Sequence, residues 1–151
     1  MGRGALAISF EKAGRTFHVM VAHLKSKLLT YPRPNGFAAF SPRNEFERTN
    51  AAAIALHRRT AEAATLRLKV NQLLQNNATR PLILMGDFND VPNAQTSLIL
   101  NGPSGSTIGT RGFDTPDKGD DTRLFNLATL LPPDRNYSRI HKGVGLSLIH
   151  I

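Results

Sequence analysis

With 151 residues, 19 Lys and Arg against 11 Asp and Glu, and 40% hydrophobic residues, the chain is one domain's worth of ordinary globular composition with a formal charge of +8. The absence of Cys excludes disulfides, thiolate zinc sites and a Cys nucleophile, and fits reducing and oxidising compartments alike. No apolar run approaches the roughly 18 residues of a membrane span, and Ala5 to Ile8 is too brief for a secretory signal, so the chain reads as a soluble monomer that leans towards the cytoplasm.

Ala5 to Phe10 reads as a strand, Glu11 to Gly14 as a turn, and Thr16 to Leu24 as a second strand pairing back on the first. Phe17, Val19, Val21 and His23 share one face of that second strand, and His18, Met20, Ala22 and Leu24 the other. Both faces are largely apolar, which predicts a strand sandwiched between layers. A Pro- and Asn-rich loop over 25–44 is long enough to be functional.

From Glu45 to Asn76, Leu56, Ala63, Leu66, Val70 and Leu73 recur near helical spacing, which predicts one long amphipathic helix facing the sheet. Leu82 to Gly86 is an unbroken apolar run, the mark of a strand buried on both faces. A Gly- and Ser-rich loop and an acidic loop from Asp114 to Asp121 follow, then strands at Tyr137 to His141 and from Leu146 onward. Strands, helix, strand, loop and strands in this order predict a layered α/β fold in a single domain, 1–151.

Charge divides the chain. Residues 1–80 carry 13 basic and four acidic side chains, net +9, and residues 81–151 six and seven, net −1. The first half suits phosphate and the second a cation, although solvated surface gives the same asymmetry.

Met85-Gly-Asp-Phe-Asn-Asp90 ends a buried strand. In extended backbone, Asp87 and Asn89 fall on one side, joining a carboxylate that can take a proton or bind Mg²⁺ to an amide that can donate to a phosphoryl oxygen. A strand-terminating turn uses the same residue types. His23 ends the other strand and is followed by Lys25, Ser26 and Lys27, a set suited to phosphate, whereas a lone strand His is more often a core residue.

Asp114, Asp117, Asp120 and Asp121 lack the spacing of a calcium loop, and His18, His57 and His141 lack metal-ligand spacing. Arg58 and Glu62 sit four apart, as a weak surface pair would. Arg33, Arg43, Lys25 and Lys27, with Tyr31, Phe37 and Phe40 interleaved among them, could track a nucleic-acid backbone and stack on bases, or the rings could tuck inward.

Val21-Ala-His-Leu-Lys-Ser-Lys27 resembles a family pattern in which a strand ends in His-Leu-Lys-Ser, and Leu84-Met-Gly-Asp-Phe-Asn-Asp90 resembles that family's Gly-Asp-Phe-Asn motif. Arg111 to Asp120 and Tyr137 to Gly143 are similar to later stretches of one bacterial branch. Together these resemble the endonuclease/exonuclease/phosphatase superfamily, the deoxyribonuclease I-like metal-dependent phosphodiesterases, over nearly the whole chain.

The resemblance implies a four-layer α/β/β/α sandwich with the site where strand ends converge, and a phosphoester substrate that includes nucleic acid. It assigns the scissile phosphate to His23, the attacking water to Asp87, water and a phosphate oxygen to Asn89, and Mg²⁺ or Mn²⁺ to Asp87. It implies a second catalytic His at His150. Two departures accompany it: the family's Glu ligand upstream of the first His has no counterpart before His23, and Ile149 stands where an Asp orients the last His. These departures, with Met1 just ahead of a strand, predict a piece of a longer gene and a hydrolase of impaired activity; a phosphate-binding module or an inactive remnant are the alternatives.

Overall fold

The computed structural model describes residues 3–75, 77, 79–102, 122–132, 134–146 and 149–150, with the backbone alone at 139, 141, 144, 146, 149 and 150. Alternating apolar residues form a hairpin of β1 (Ala5–Lys12) and β2 (Arg15–His23), in antiparallel register from Ala5 opposite Ala22 to Lys12 opposite Arg15. The loop beyond β2 contains a small ribbon, β3 (Tyr31–Pro32) with β4 (Ala38–Ala39).

Helix α1 (Glu45–Leu74) begins at Asn44, whose Oδ1 accepts the Glu47 N–H at 2.8 Å, and Glu45 and Glu47 place negative charge in its first turn. It ends two residues short of the predicted Asn76. Next come β5 (Leu82–Asp87), α2 (Gln95–Asn101), a 3-10 turn at Leu127–Leu130, a ribbon of β6 (Arg139–His141) and β7 (Val144–Leu146), and β8 (Ile149–His150).

The main sheet runs β1-β2-β5-β8, with β2 parallel to β5 and the other two pairings antiparallel. A parallel pair needs a crossover, and α1 supplies it, which lays the helix on one sheet face. The fold is thus mixed α/β, with one small sheet carrying helices.

The core lies between that face and the helices. Met20, Ala22, Leu24, Leu84 and Phe88 meet Ala63, Leu66, Val70 and Leu74 of α1 and Leu100 of α2. Each large side chain buried there contributes about 1.5–3 kcal/mol. The expected helical stripe therefore holds at Ala63, Leu66 and Val70, with Leu73 half-buried, and fails at Leu56, which is exposed.

The stripe also contains two arginines that apolar periodicity overlooks, Arg59 and Arg67, both buried. Arg67 donates to the carbonyls of Leu100, Asn101 and Thr122 at 2.6–3.1 Å, so its guanidinium caps the C-terminal end of α2, where unpaired carbonyls and the helix dipole favour a cation.

The other sheet face corrects the expectation of strands buried on both sides. Leu6, Ile8, Phe10, Val21 and Ile83 are all exposed there, with the Phe10 and Phe17 rings stacked at 5.4 Å. Apolar residues on both faces of β2 signal a capacity for burial, and among the described residues only the α1 side meets it.

Candidate functional site

Parallel register sets His23 opposite Asp87, so the carboxyl ends of β2 and β5 deliver the two side chains next to each other. Nε2 of His23 lies 3.9 Å from Oδ2 of Asp87, and both side chains are open to solvent. Carboxyl ends of parallel strands are the usual ligand end of α/β sheets, because the loops that leave them diverge and leave a crevice.

Gly86 makes this approach possible. It has φ of 142°, and a Cβ there would stand 1.9 Å from the Ala22 carbonyl oxygen, inside the neighbouring strand's backbone. The residue before Asp87 must therefore be Gly for β2 and β5 to pair up to their ends.

Beyond β5 the chain leaves the extended course expected of it. Asn89 sits at φ of 53°, in the left-handed region that Asn tolerates better than most residues, and its backbone N–H donates to Asp87 Oδ1 at 3.0 Å. The Asn89 amide turns inward to the Leu24 carbonyl at 3.1 Å. His23, Asp87 and Asn89 do converge, but the amide ties the β5 loop to the β2 loop instead of lying beside the carboxylate in extended backbone.

Lys25, Ser26 and Lys27 are drawn into the same loop. The Lys25 ammonium donates to the Ser26 and Leu28 carbonyls at 2.9 and 3.1 Å, and Ser26 Oγ accepts the Leu28 N–H at 2.9 Å. Burial, and then the charges of Arg3, Arg58 and Arg59, hold the Lys25 ammonium below its ordinary pKa despite the opposing pull of Glu62.

Lys27 pairs with Asp90 Oδ1 at 2.7 Å. Asp90, quoted in the motif yet assigned no role from sequence, is the centre of the site's support. Its Oδ2 takes Arg59 Nε at 3.0 Å and the Thr96 hydroxyl at 2.7 Å, so one buried carboxylate joins α1, α2 and the His23 loop. Burial raises its pKa, but the Lys27 and Thr96 hydrogen bonds and the Lys27 and Arg59 charges more than offset this and leave it lowered. An arginine on the apolar stripe of α1 calls for buried acceptors, but these are backbone carbonyls for Arg67 and a carboxylate for Arg59, so the stripe alone does not single out Asp90.

The remaining candidates separate. Arg33 and Arg43 both bind Glu47, at 2.7 and 2.9 Å, and Tyr31 is buried, while Phe37 and Phe40 are exposed. Glu62 accepts the backbone N–H groups of Arg3 and Lys25, at 3.2 and 2.6 Å. His18 Nδ1 shares a 2.8 Å hydrogen bond with Ser9, and His57 is exposed. His150 and Ile149 lie opposite Gly86 and Asp87 across β5, which brings their backbone to the site. The acidic residues Asp114 to Asp121 lie outside the described residues.

Mg²⁺ is commonly held by one or two carboxylates, with water and substrate phosphate filling its other positions. Asp87 suits that donor set through Oδ2, since Oδ1 already accepts from Asn89. Among the described residues no group of three or more His, Asp or Glu gathers to form an all-protein cage. No family model, curated protein or solved structure matches the chain.

Proposed function

We propose that the chain carries the core of a metal-dependent phosphoester hydrolase site of the endonuclease/exonuclease/phosphatase kind, slow in turnover. The observation that supports this most is the pairing of His23 with Asp87 at the carboxyl ends of two parallel strands, 3.9 Å apart and open to solvent. In this reading His23 donates to a phosphoryl oxygen and Asp87 orients a water for in-line attack, giving a phosphomonoester and an alcohol. Asn89 holds the two loops at a fixed separation. Asp87 would also hold Mg²⁺ or Mn²⁺ through one oxygen, and the ion when bound would neutralise charge on the phosphoryl oxygens. The same reading expects a second sheet against the open face of the first, as in a four-layer sandwich.

Slow turnover follows from the donor set. A single carboxylate at Asp87 is a weak hold on Mg²⁺, and Ile149 offers no carboxylate to orient a second His. In a serine protease triad, disabling the His-orienting carboxylate costs about 10⁴ in turnover.

The test is hydrolysis of bis(p-nitrophenyl) phosphate and plasmid DNA with Mg²⁺, Mn²⁺ or EDTA. The expected result is metal-dependent cleavage below about 1 s⁻¹, the low end of ordinary enzymes, lost in Asp87→Ala and His23→Ala. No cleavage by the intact chain, or cleavage unaffected by Asp87→Ala, overturns the reading. Salt-dependent DNA binding without cleavage would instead favour a phosphate-binding module.

A further inference from the structure

All eight residues of β1 are exposed, including Ala5 and Ala7, whose side chains face the same side of the sheet as α1. A cavity of about 890 Å³ therefore opens between β1 and α1, with Ala5, Ala7 and Met20 on its floor. Its wall is one face of α1, where Arg58, Glu62, Thr65, Lys69 and Gln72 recur at intervals of three and four. At 1.5 Å per residue this wall runs about 21 Å, four helical turns. Helices pack side by side at 8–10 Å, and a floor of alanines lets another helix settle against both sheet and α1.

Charge selects the occupant. Arg3, Arg58 and Lys69 rim the groove against a single acid, Glu62, and both Glu62 oxygens are taken by the backbone N–H groups of Arg3 and Lys25. A second copy related by a two-fold axis through the middle of the wall would run antiparallel to it and set Arg58 of each copy near Lys69 of the other, a repulsive arrangement.

We propose that the groove between β1 and α1 is a docking site for an acidic amphipathic helix of a partner protein, its apolar side on Ala5, Ala7 and Leu73 and its carboxylates beside Arg58 and Lys69. This mode is helix-in-groove recognition, with apolar contact supplying affinity and the rim supplying selectivity. His23 lines one end of the same groove, but the helix-docking proposal does not rest on the phosphoester reading.

The test is fluorescence anisotropy with a labelled Leu/Ala/Glu helical peptide of about 14 residues, matched to the four-turn wall, and a twin with Lys replacing every Glu. The acidic peptide binds at least about tenfold more tightly than its twin, Arg58→Glu/Lys69→Glu reverses that order, and Ala61→Glu on the wall weakens the acidic peptide. All three positions are exposed, and an unchanged thermal midpoint certifies each variant as folded. Absence of binding, equal binding of both peptides, or indifference to the charge reversal overturns the proposal. Self-association abolished by Ala61→Glu would also overturn it, in favour of a second copy.

Discussion

Replacing Asp90 by Ala removes one buried carboxylate and leaves three elements without their common partner. Arg59 bears the largest consequence: its side chain is 7% exposed, so its guanidinium stays buried without the carboxylate, keeping its hydrogen bond from Nη1 to the Lys25 carbonyl at 3.2 Å. Stranding a buried charge in this way costs about 3–5 kcal/mol. The lost Thr96 hydrogen bond adds to this, whereas Lys27, half exposed at 53%, contributes little, as exposed pairs contribute about 0–1 kcal/mol. A total near 4 kcal/mol is a large part of the 5–15 kcal/mol available to a domain. Urea unfolding followed by circular dichroism measures it, with the m-value checking that the unfolded state is unchanged. The double variant Arg59→Met/Asp90→Leu should recover most of the loss, because a buried ion pair replaced by apolar groups of similar size is often neutral. A loss below about 1 kcal/mol in Asp90→Ala, typical of surface sites, would refute the hub, as would a double variant no more stable than the single one.

Leu66→Ala should cost about 2–5 kcal/mol and Leu56→Ala less than about 1 kcal/mol, since the first is 6% exposed and the second 49%; equal losses in urea unfolding would mean that the helix face is misassigned. Gly86→Ala should cost at least the roughly 1–3 kcal/mol of overpacking, because its Cβ meets backbone 1.9 Å away, and a midpoint like that of the parent chain would count against the β2–β5 register. The Arg43 backbone N–H, with the Arg43 and Arg33 side chains, holds Glu47 down to about 2 against desolvation. A lowered carboxylate pKa adds stability above the unfolded value of 4.5, lost as pH falls towards 2, so Glu47→Gln should flatten the pH dependence of unfolding in that window and leave the slope from pH 5 to 7 unchanged.

The parts read correctly from sequence rest on local periodicity. The β1–β2 hairpin, the long helix and the β5 strand follow from spacing of apolar residues and from turn chemistry, and each forms within a few residues of its expected bounds. The convergence of His23 and Asp87 follows too, because both close a strand and a helix long enough for a parallel crossover lies between them. Asp90 with Arg59 escaped because a pair 31 residues apart leaves no periodic trace, and an arginine on an apolar stripe reads as noise until its partner is known. The inward turn of the Asn89 amide escaped for a related reason: it depends on the left-handed backbone at Asn89, which alternation along a strand cannot anticipate.

The apolar sheet face formed by Leu6, Ile8, Phe10, Val21 and Ile83 bears on the colloidal behaviour of the chain. Contact between two such faces is favourable, while the net charge of +8 drives the molecules apart. The balance depends on ionic strength: the Debye length falls from about 30 Å at 0.01 M salt to about 10 Å at 0.1 M, so the repulsion shortens to the thickness of a single layer while the apolar attraction is untouched. Dilute buffer keeps the molecules dispersed, and sulfate or phosphate, which screen charge and strengthen apolar burial together, bring the faces into contact. Purification in low salt at a pH well below the sequence isoelectric point of 10.6 follows directly from that geometry.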